Sequence, residues 1–295
     1  MALCCRSKCA VKGVKMMSNS SANVDERVTA GFGDEWHRFD QSTMPMHTLH
    51  EIFEAYFRIF PWTDLPLGAV GADFGCGSGR WALFVAPRVN KLICVDASKT
   101  ALEVAKRNLA NLSNCEFQNA SVGDMQIPEQ SLDFAYSLGV LHHIPDTAKG
   151  LESCVRTLKS GAPFLLYLYY AMENRPIWYR LLWSMSNIMR FGISRLPTTL
   201  RYLVSQVIAA LIYWPLARTA WLAGLCGLKG INFPLYAYAD KPFYVMRTDA
   251  LDRFGTRLER RFTRREMQGM MESAGLCNIR FSEHPPFWCA VGHRG

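Results

Sequence analysis

The chain has 295 residues, 49% hydrophobic and 20% charged, which provides a sizeable core and excludes a disordered or fibrous protein. Its ten cysteines include no C-x-x-C pair, so neither a zinc site nor a disulfide framework is indicated; they read as reduced thiols of a cytoplasmic protein, and no metal is expected. The net charge of +8 is uneven: +4 over residues 1–24, 15 Lys/Arg against 4 Asp/Glu over residues 174–265, and 14 against 21 elsewhere. The basic segment suits an anionic partner (phosphorylated or carboxylated substrate, nucleic acid, acidic lipid) or is an ordinary solvated Arg-rich face, and both readings stand.

Residues 1–24, with Cys4, Cys5 and Cys9, lack the apolar core of a signal peptide and read as a disordered basic leader, with Met16 and Met17 as alternative starts. A segment from Gly31 to Phe39 precedes a helix over Met46–Phe60, where Leu49, Ile52, Phe53, Tyr56, Phe57 and Phe60 recur at helical spacing. Then come a strand (Gly68–Phe74), a helix (Arg80–Pro87), a strand (Leu92–Asp96) and a helix (Ser98–Leu109). Two strands (Glu116–Ala120 and Leu132–Ser137), a helix (Ala148–Leu158) and a strand (Phe164–Tyr170) follow. This alternation predicts an α/β fold with a parallel sheet and a ligand at the carboxyl ends of its strands. Thr263 and Glu266 form a capping-box pattern for a helix ending at Gly275, and Asn278–Ser282 and Phe287–Gly292 read as two closing strands.

The most informative stretch is Asp73-Phe74-Gly75-Cys76-Gly77-Ser78-Gly79, where a strand feeds a glycine turn and a helix start. Glycines are needed where the backbone takes positive φ or a ligand comes close, and the free N–H groups of the next helix form a polar cradle. The second strand ends in Asp96, 21 residues beyond Gly75, where a carboxylate suits two ribose hydroxyls. The glycine spacing is G-x-G-x-G rather than G-x-G-x-x-G, and Asp73 would repel a pyrophosphate.

With these features the sequence resembles the class I S-adenosylmethionine-dependent methyltransferases, in the branch that methylates ubiquinone and menaquinone precursors. The resemblance runs from about Gly68 to Gly161, through Ser131 to Asp146 (fourth strand and its loop) and Leu158 to Tyr170, and resumes from Phe262. It implies a Rossmann-like, seven-stranded, mostly parallel sheet with an antiparallel last strand and a helical cap inserted after the fifth strand. The implied division is a cofactor-binding core over 25–170, a cap over 171–262, and a C-terminal helix and hairpin over 263–295. The implied cofactor is S-adenosylmethionine: Gly75, Cys76, Gly77 and Gly79 would seat its methionine part with Asp73 near the amino group, and Asp96 with Ala97 would take the ribose. Ser121 and Val122 stand where relatives carry an acid and a small residue, which leaves Ser121 or Asp124 for the adenine amino group; Ser137 and Leu138 close the list.

His143, after the fourth strand, matches a histidine of the quinone-methylating relatives and is the candidate base; the alternative is that it only packs the loop. Trp36, His142, Tyr169, Tyr170 and Glu173 are further candidate substrate contacts, with Tyr236, Tyr238, Tyr244, Arg247 and Arg253 able to reach in from the cap. The apolar run Leu203 to Ala217 is 15 residues, short of the roughly 20 that a membrane span needs. A helical cap, or apolar faces resting on a membrane surface with Trp178, Trp183, Trp214 and Trp221, remain as readings of the insertion. The functional expectation is a cytoplasmic, or peripherally membrane-bound, methyltransferase of a small amphipathic or acidic acceptor. The rivals are an RNA methyltransferase using the basic segment, against which stand the lack of an RNA-binding module and of an Asn-Pro-Pro-Tyr-type motif, and a cofactor-binding protein without turnover.

Overall fold

The computed structural model describes residues 23–227 and 233–295. Seven strands form one sheet: β1 (Val70–Phe74), β2 (Lys91–Asp96), β3 (Cys115–Asn119), β4 (Phe134–Leu138), β5 (Pro163–Tyr167), β6 (Leu276–Phe281) and β7 (Cys289–Arg294). Their order is β3-β2-β1-β4-β5-β7-β6. All neighbours pair in parallel except around β7, which runs antiparallel to both β5 and β6. This is the Rossmann-like sheet that the sequence predicts. The strand order reverses between β1 and β4, which opens a crevice at their carboxyl ends.

The central strands are apolar on both sides because helices cover both faces. One face carries α2 (Met46–Phe57), α3 (Ala82–Val85) and α4 (Lys99–Asn108), with Phe53, Phe57, Trp81 and Leu102 packed on Leu92, Phe134 and Tyr136. The other carries α5 (Thr147–Arg156) and α10 (Arg264–Ser273), with Leu151, Val155, Met267 and Met271 packed on Phe74, Phe164 and Ala290. The capping box at Thr263 and Glu266 forms as the sequence predicts, and Gly275 follows the helix at φ +92°.

Several boundaries move. The helix after the glycine turn is one short turn, Ala82–Val85, continued by a tighter turn over Ala86–Arg88, because Pro87 removes a donor. β4 begins two residues later than expected, and the last two strands shift to Leu276–Phe281 and Cys289–Arg294. A helix that the glycines at 31 and 33 concealed, α1, spans Glu26–Arg38 and is capped by the Asp25 carboxylate, which accepts from the N–H groups of Arg27 and Val28. Gly33 is required by packing, since a Cβ there would stand 2.7 Å from the Ser98 hydroxyl at the start of α4. The expected leader falls on residues 1–22, outside those described, save that Asn23 is anchored, exchanging side-chain hydrogen bonds with the Asp146 backbone at 2.6 and 2.8 Å.

Residues 171–262 hold α6 (Ile177–Ile193), α7 (Thr198–Ile208), α8 (Trp214–Leu225) and α9 (Phe243–Gly255). A wider turn over Ala209–Tyr213 joins α7 to α8, so the helical run is continuous for 28 residues from Thr198 to Leu225. By length and composition it could cross a membrane, which revises the judgement drawn from the 15-residue run: tolerating Arg201 or Arg218 at its edge lengthens the apolar window. One side of this helix packs on α9 through Ile208, Ala209, Tyr213 and Ala217 against Met246, Ala250 and Phe254.

Phe57 is the keystone of the α2 face, with its ring centroid 4.4 Å from Phe53, 5.1 Å from Tyr136 and 5.6 Å from Trp62. Phe57→Ala is expected to cost about 3–5 kcal/mol in unfolding free energy, read from denaturant titration. A loss below about 1 kcal/mol would show that the aromatic cluster recloses around the gap.

Candidate active site

The three glycines of the turn serve three separate contacts, all at positive φ. A Cβ on Gly75 would lie 2.3 Å from Val140, on Gly77 2.8 Å from the Trp36 indole, and on Gly79 2.8 Å from Leu109. The turn is held open because the Gly75 and Cys76 N–H groups both donate to the Val95 carbonyl at the end of β2 (2.7 and 3.0 Å). Asp96, one residue on, accepts from the Gly77 N–H (2.9 Å) and the Ser98 N–H (2.8 Å), one on each oxygen. Burial pushes its pKa up, with those two amides pulling the other way. Each oxygen keeps an acceptor site free.

A cavity of about 1240 Å³ begins at this turn. Of the residues expected from sequence, Trp36, Gly75, Cys76, Asp96, Ala97, Ser121, Val122, Leu138, His143, Tyr169 and Tyr170 line it, as do Tyr236, Tyr238 and Arg253 from the cap, while Tyr244 and Arg247 lie off the wall on Gln41 and Gln206. Gly77 and Gly79 serve packing instead, and the Ser137 hydroxyl is buried on the Phe74 carbonyl at 2.9 Å. Glu173 lies off the wall, accepting from the Arg264 N–H (2.7 Å) and the Trp288 indole (3.0 Å) at the start of α10. Asp124 also lies off the wall, beside the Ser121 hydroxyl at 3.5 Å.

His143 is nearly sealed from solvent, its ring against Phe32 and Tyr169. Its Nδ1 sits 2.7 Å from the Leu258 carbonyl. A carbonyl only accepts, so Nδ1 carries hydrogen and the neutral ring presents Nε2 as a base. Nε2 has no hydrogen-bond partner and lies 3.8 Å from Asp252 Oδ1. The other Asp252 oxygen accepts from the Tyr169 hydroxyl, whose pKa is pushed up by burial and then by the Asp252 charge. The His142 ring lies tilted against Tyr169, centroids 3.9 Å apart, with both ring nitrogens unpartnered; burial above all holds its pKa well down, so it stays neutral.

Sequence reasoning missed the acids. Glu35 from α1 and Asp249 and Asp252 from α9 all face the cavity, the last two one helical turn apart. Burial, then the Asp252 charge, pushes Glu35 well up. Asp249 is pushed to about 6 by burial, against the pull of the Tyr238 hydroxyl bonded to it at 2.7 Å. The available signal was scarcity: residues 174–265 hold four acids, and Asp249, Asp252 and Glu259 are three of them.

Residues 72–166 match the family described as methyltransferase domain. The chain carries a class I methyltransferase domain. It is 34% identical over 104 residues to an uncharacterized methyltransferase, YcgJ, of Bacillus subtilis, covering 35% of this chain and 41% of that protein. It is 28% identical over 165 residues to a ubiquinone biosynthesis O-methyltransferase of Paracidovorax citrulli, covering 54% of this chain and 66% of that one. The chain thus spans only part of the length of these curated relatives, 41% of one and 66% of the other. Among solved structures, the YcgJ protein overlays with a TM-score of 0.48 at 18% identity, over 81% of this chain and 71% of that one.

In this methyltransferase domain Asp73 is fully buried behind the turn and off the cavity wall, with neither carboxylate oxygen in hydrogen-bond geometry. Burial raises its pKa to about 8, against the pull of the Tyr136 hydroxyl beside it. An acid whose folded pKa exceeds its unfolded value of about 3.9 stabilises the fold below that value and loses the contribution as pH rises through the folded value. The cofactor-free melting temperature of the wild type relative to Asp73→Asn is therefore expected to fall as pH rises from about 4 towards about 8. Parallel profiles by scanning fluorimetry would show that Asp73 does not titrate in this window.

Proposed function

We propose that the protein is an S-adenosylmethionine-dependent methyltransferase that modifies a hydroxyl of an amphipathic small molecule held beneath the helical cap. One observation carries this reading: a single cavity runs from Gly75 and Asp96 past His143 to the apolar helices α6 and α8. The residues at its inner end fit the cofactor. Asp96 has two acceptor sites open for a ribose diol, Ala97 and Val122 give apolar walls for a ring, Ser121 offers a hydroxyl, and Gly75 brings bare backbone to the cavity wall. When bound, S-adenosylmethionine supplies a methyl group made electrophilic by its sulfonium.

The chain aligns the acceptor and takes its proton. His143 Nε2 receives the hydroxyl proton, and the imidazolium so formed lies 3.8 Å from the Asp252 carboxylate, which Tyr169 holds in place. An oxygen acceptor agrees with the name of the relatives described as O-methyltransferases. Glu35, Asp249 and Asp252 on the wall favour a hydroxylated headgroup over one bearing its own carboxylate. Nucleic acid is disfavoured because Arg190, Arg201, Arg218, Arg247 and Arg257 are engaged in hydrogen bonds within the cap.

Calorimetric titration of S-adenosylmethionine is expected to give micromolar binding to the wild type and at least a tenfold loss in Asp96→Ala. No binding by the folded wild type would sink the reading. For His143→Gln, transfer of labelled methyl into organic-soluble acceptors is expected to drop about 10²-fold or more in kcat, with cofactor affinity within twofold. An unchanged kcat would reduce His143 to packing, and cofactor binding without any transfer would favour a non-catalytic role.

A further inference from the structure

The cap presents a broad apolar surface that nothing in the described fold covers. α6 buries none of its residues, and Ile177, Leu181, Met185 and Ile188 stand out along it, Ile188 being 75% exposed. Along the continuous helix from Thr198 to Leu225, Leu203, Val207, Leu211, Trp214, Leu222 and Leu225 do the same, with Leu211 71% exposed. A patch of this extent on a water-soluble surface marks an interaction site. Residues 174–227 contain six arginines and no Asp or Glu. Arg180 and Arg195 are exposed, one on α6 and one at its end.

The same surface surrounds the outer end of the cavity. Leu182, Met185 and Met189 of α6 and Ile212, Trp221 and Leu225 of the long helix are all exposed and all line it. An acceptor leaving this mouth therefore meets apolar side chains and arginines, and no carboxylate from either helix.

We propose that the outward face of α6 and of the α7–α8 helix rests on the surface of an anionic bilayer, with the mouth of the cavity at the lipid. Amphipathic elements with apolar side chains on the contact face and basic residues at the edge bind in this way. The helix lies on the membrane rather than through it. Its other side is committed to α9 through Ile208, Ala209, Tyr213 and Ala217, and Arg201, Gln206 and Arg218 bond to Gly255, Arg247 and Lys241. A spanning helix would have to give up all of these. A second copy of the chain is a poorer occupant, because a two-fold contact would press two acid-free, arginine-bearing faces together. Delivery of the acceptor through this mouth rests on the methyltransferase reading; the docking itself does not.

The test is flotation of the full chain with vesicles of phosphatidylcholine containing phosphatidylglycerol, with light scattering of the free protein alongside. Leu203 and Leu211 are exposed and lie off the cavity wall, so Leu203→Glu/Leu211→Glu should leave the melting temperature and S-adenosylmethionine affinity unchanged. The wild type is expected to float with the vesicles and the double variant to lose at least tenfold in partitioning. A wild type that stays with the soluble fraction overturns the proposal. So does a wild-type dimer that fails to float and is split to monomer by the double substitution, which would assign the face to a second copy. Flotation is read without methyl transfer, so a failure here leaves the enzymatic reading standing, and a failure of turnover leaves the docking standing.

Discussion

A carboxylate withdrawn from water must be met by donors or cations, and Asp252 is where this requirement ties the molecule together. It lies on α9 in the cap, yet it accepts from the Tyr169 hydroxyl beyond β5 and lies 3.8 Å from His143 Nε2 in the loop after β4. The His143 ring is turned by the Leu258 carbonyl, three residues past the end of α9. His143, Asp252 and the segment that follows α9 are therefore one mechanical unit. Displacing the cap would strip His143 of its tautomer-setting partner and leave Asp252 with an unmet charge. The site is complete only when the cap is seated.

What holds the cap together is a set of arginines that end helices. The last carbonyls of α9 and the residue after it are capped from neighbouring helices: Arg201 of α7 reaches Gly255 (3.3 Å) and Arg190 of α6 reaches Thr256 (2.9 Å). Cations at a helix C-terminus satisfy orphan carbonyls and oppose the dipole together. Beyond α9, Glu259 is buried between Arg253 (2.7 Å) and Arg261 (2.8 Å), whose charges hold its pKa down against the burial that raises it. Such a cluster costs desolvation and adds little net stability, but removal of one member leaves an uncompensated buried charge. Its effect is to fix where α9 ends relative to β5. Much of the basic excess of this segment is thus internal stitching, with Arg180 and Arg195 left exposed.

The contrast between core and cap explains what the sequence revealed. The turn at Gly75, the carboxylate at Asp96 and the strand–helix alternation depend on local backbone demands, and these are written in neighbouring residues. The partners of His143 are more than 100 residues away in sequence, at Asp252 and Leu258, and no periodicity relates them. The first helix was hidden because Gly31 and Gly33 weaken helix propensity, while the reason for Gly33, close approach to Ser98, exists only after folding. Asp73 shows the reverse case. Its place before the turn suggested a ligand contact, whereas the structure buries it within β1, off the cavity wall and beside Tyr136.

The two ends of the cavity differ in chemistry, and that difference orients whatever enters. At the core end stand Glu35, Asp249, Asp252 and His143; at the outer end stand the side chains of α6 and the long helix, apolar and without an acid. A molecule with a hydroxylated ring and a long apolar tail lowers its free energy with the ring inward and the tail outward, because the opposite placement would bury polar groups unpaired and hold apolar surface in water. Arg190 of α6 and Arg201 of the long helix tie both outer helices to the end of α9, so the apolar end of the cavity is fixed relative to Asp249 and Asp252 on that same helix. The apolar end would thus select for shape and hydrophobicity, and the carboxylates and imidazole at the core end for polar groups.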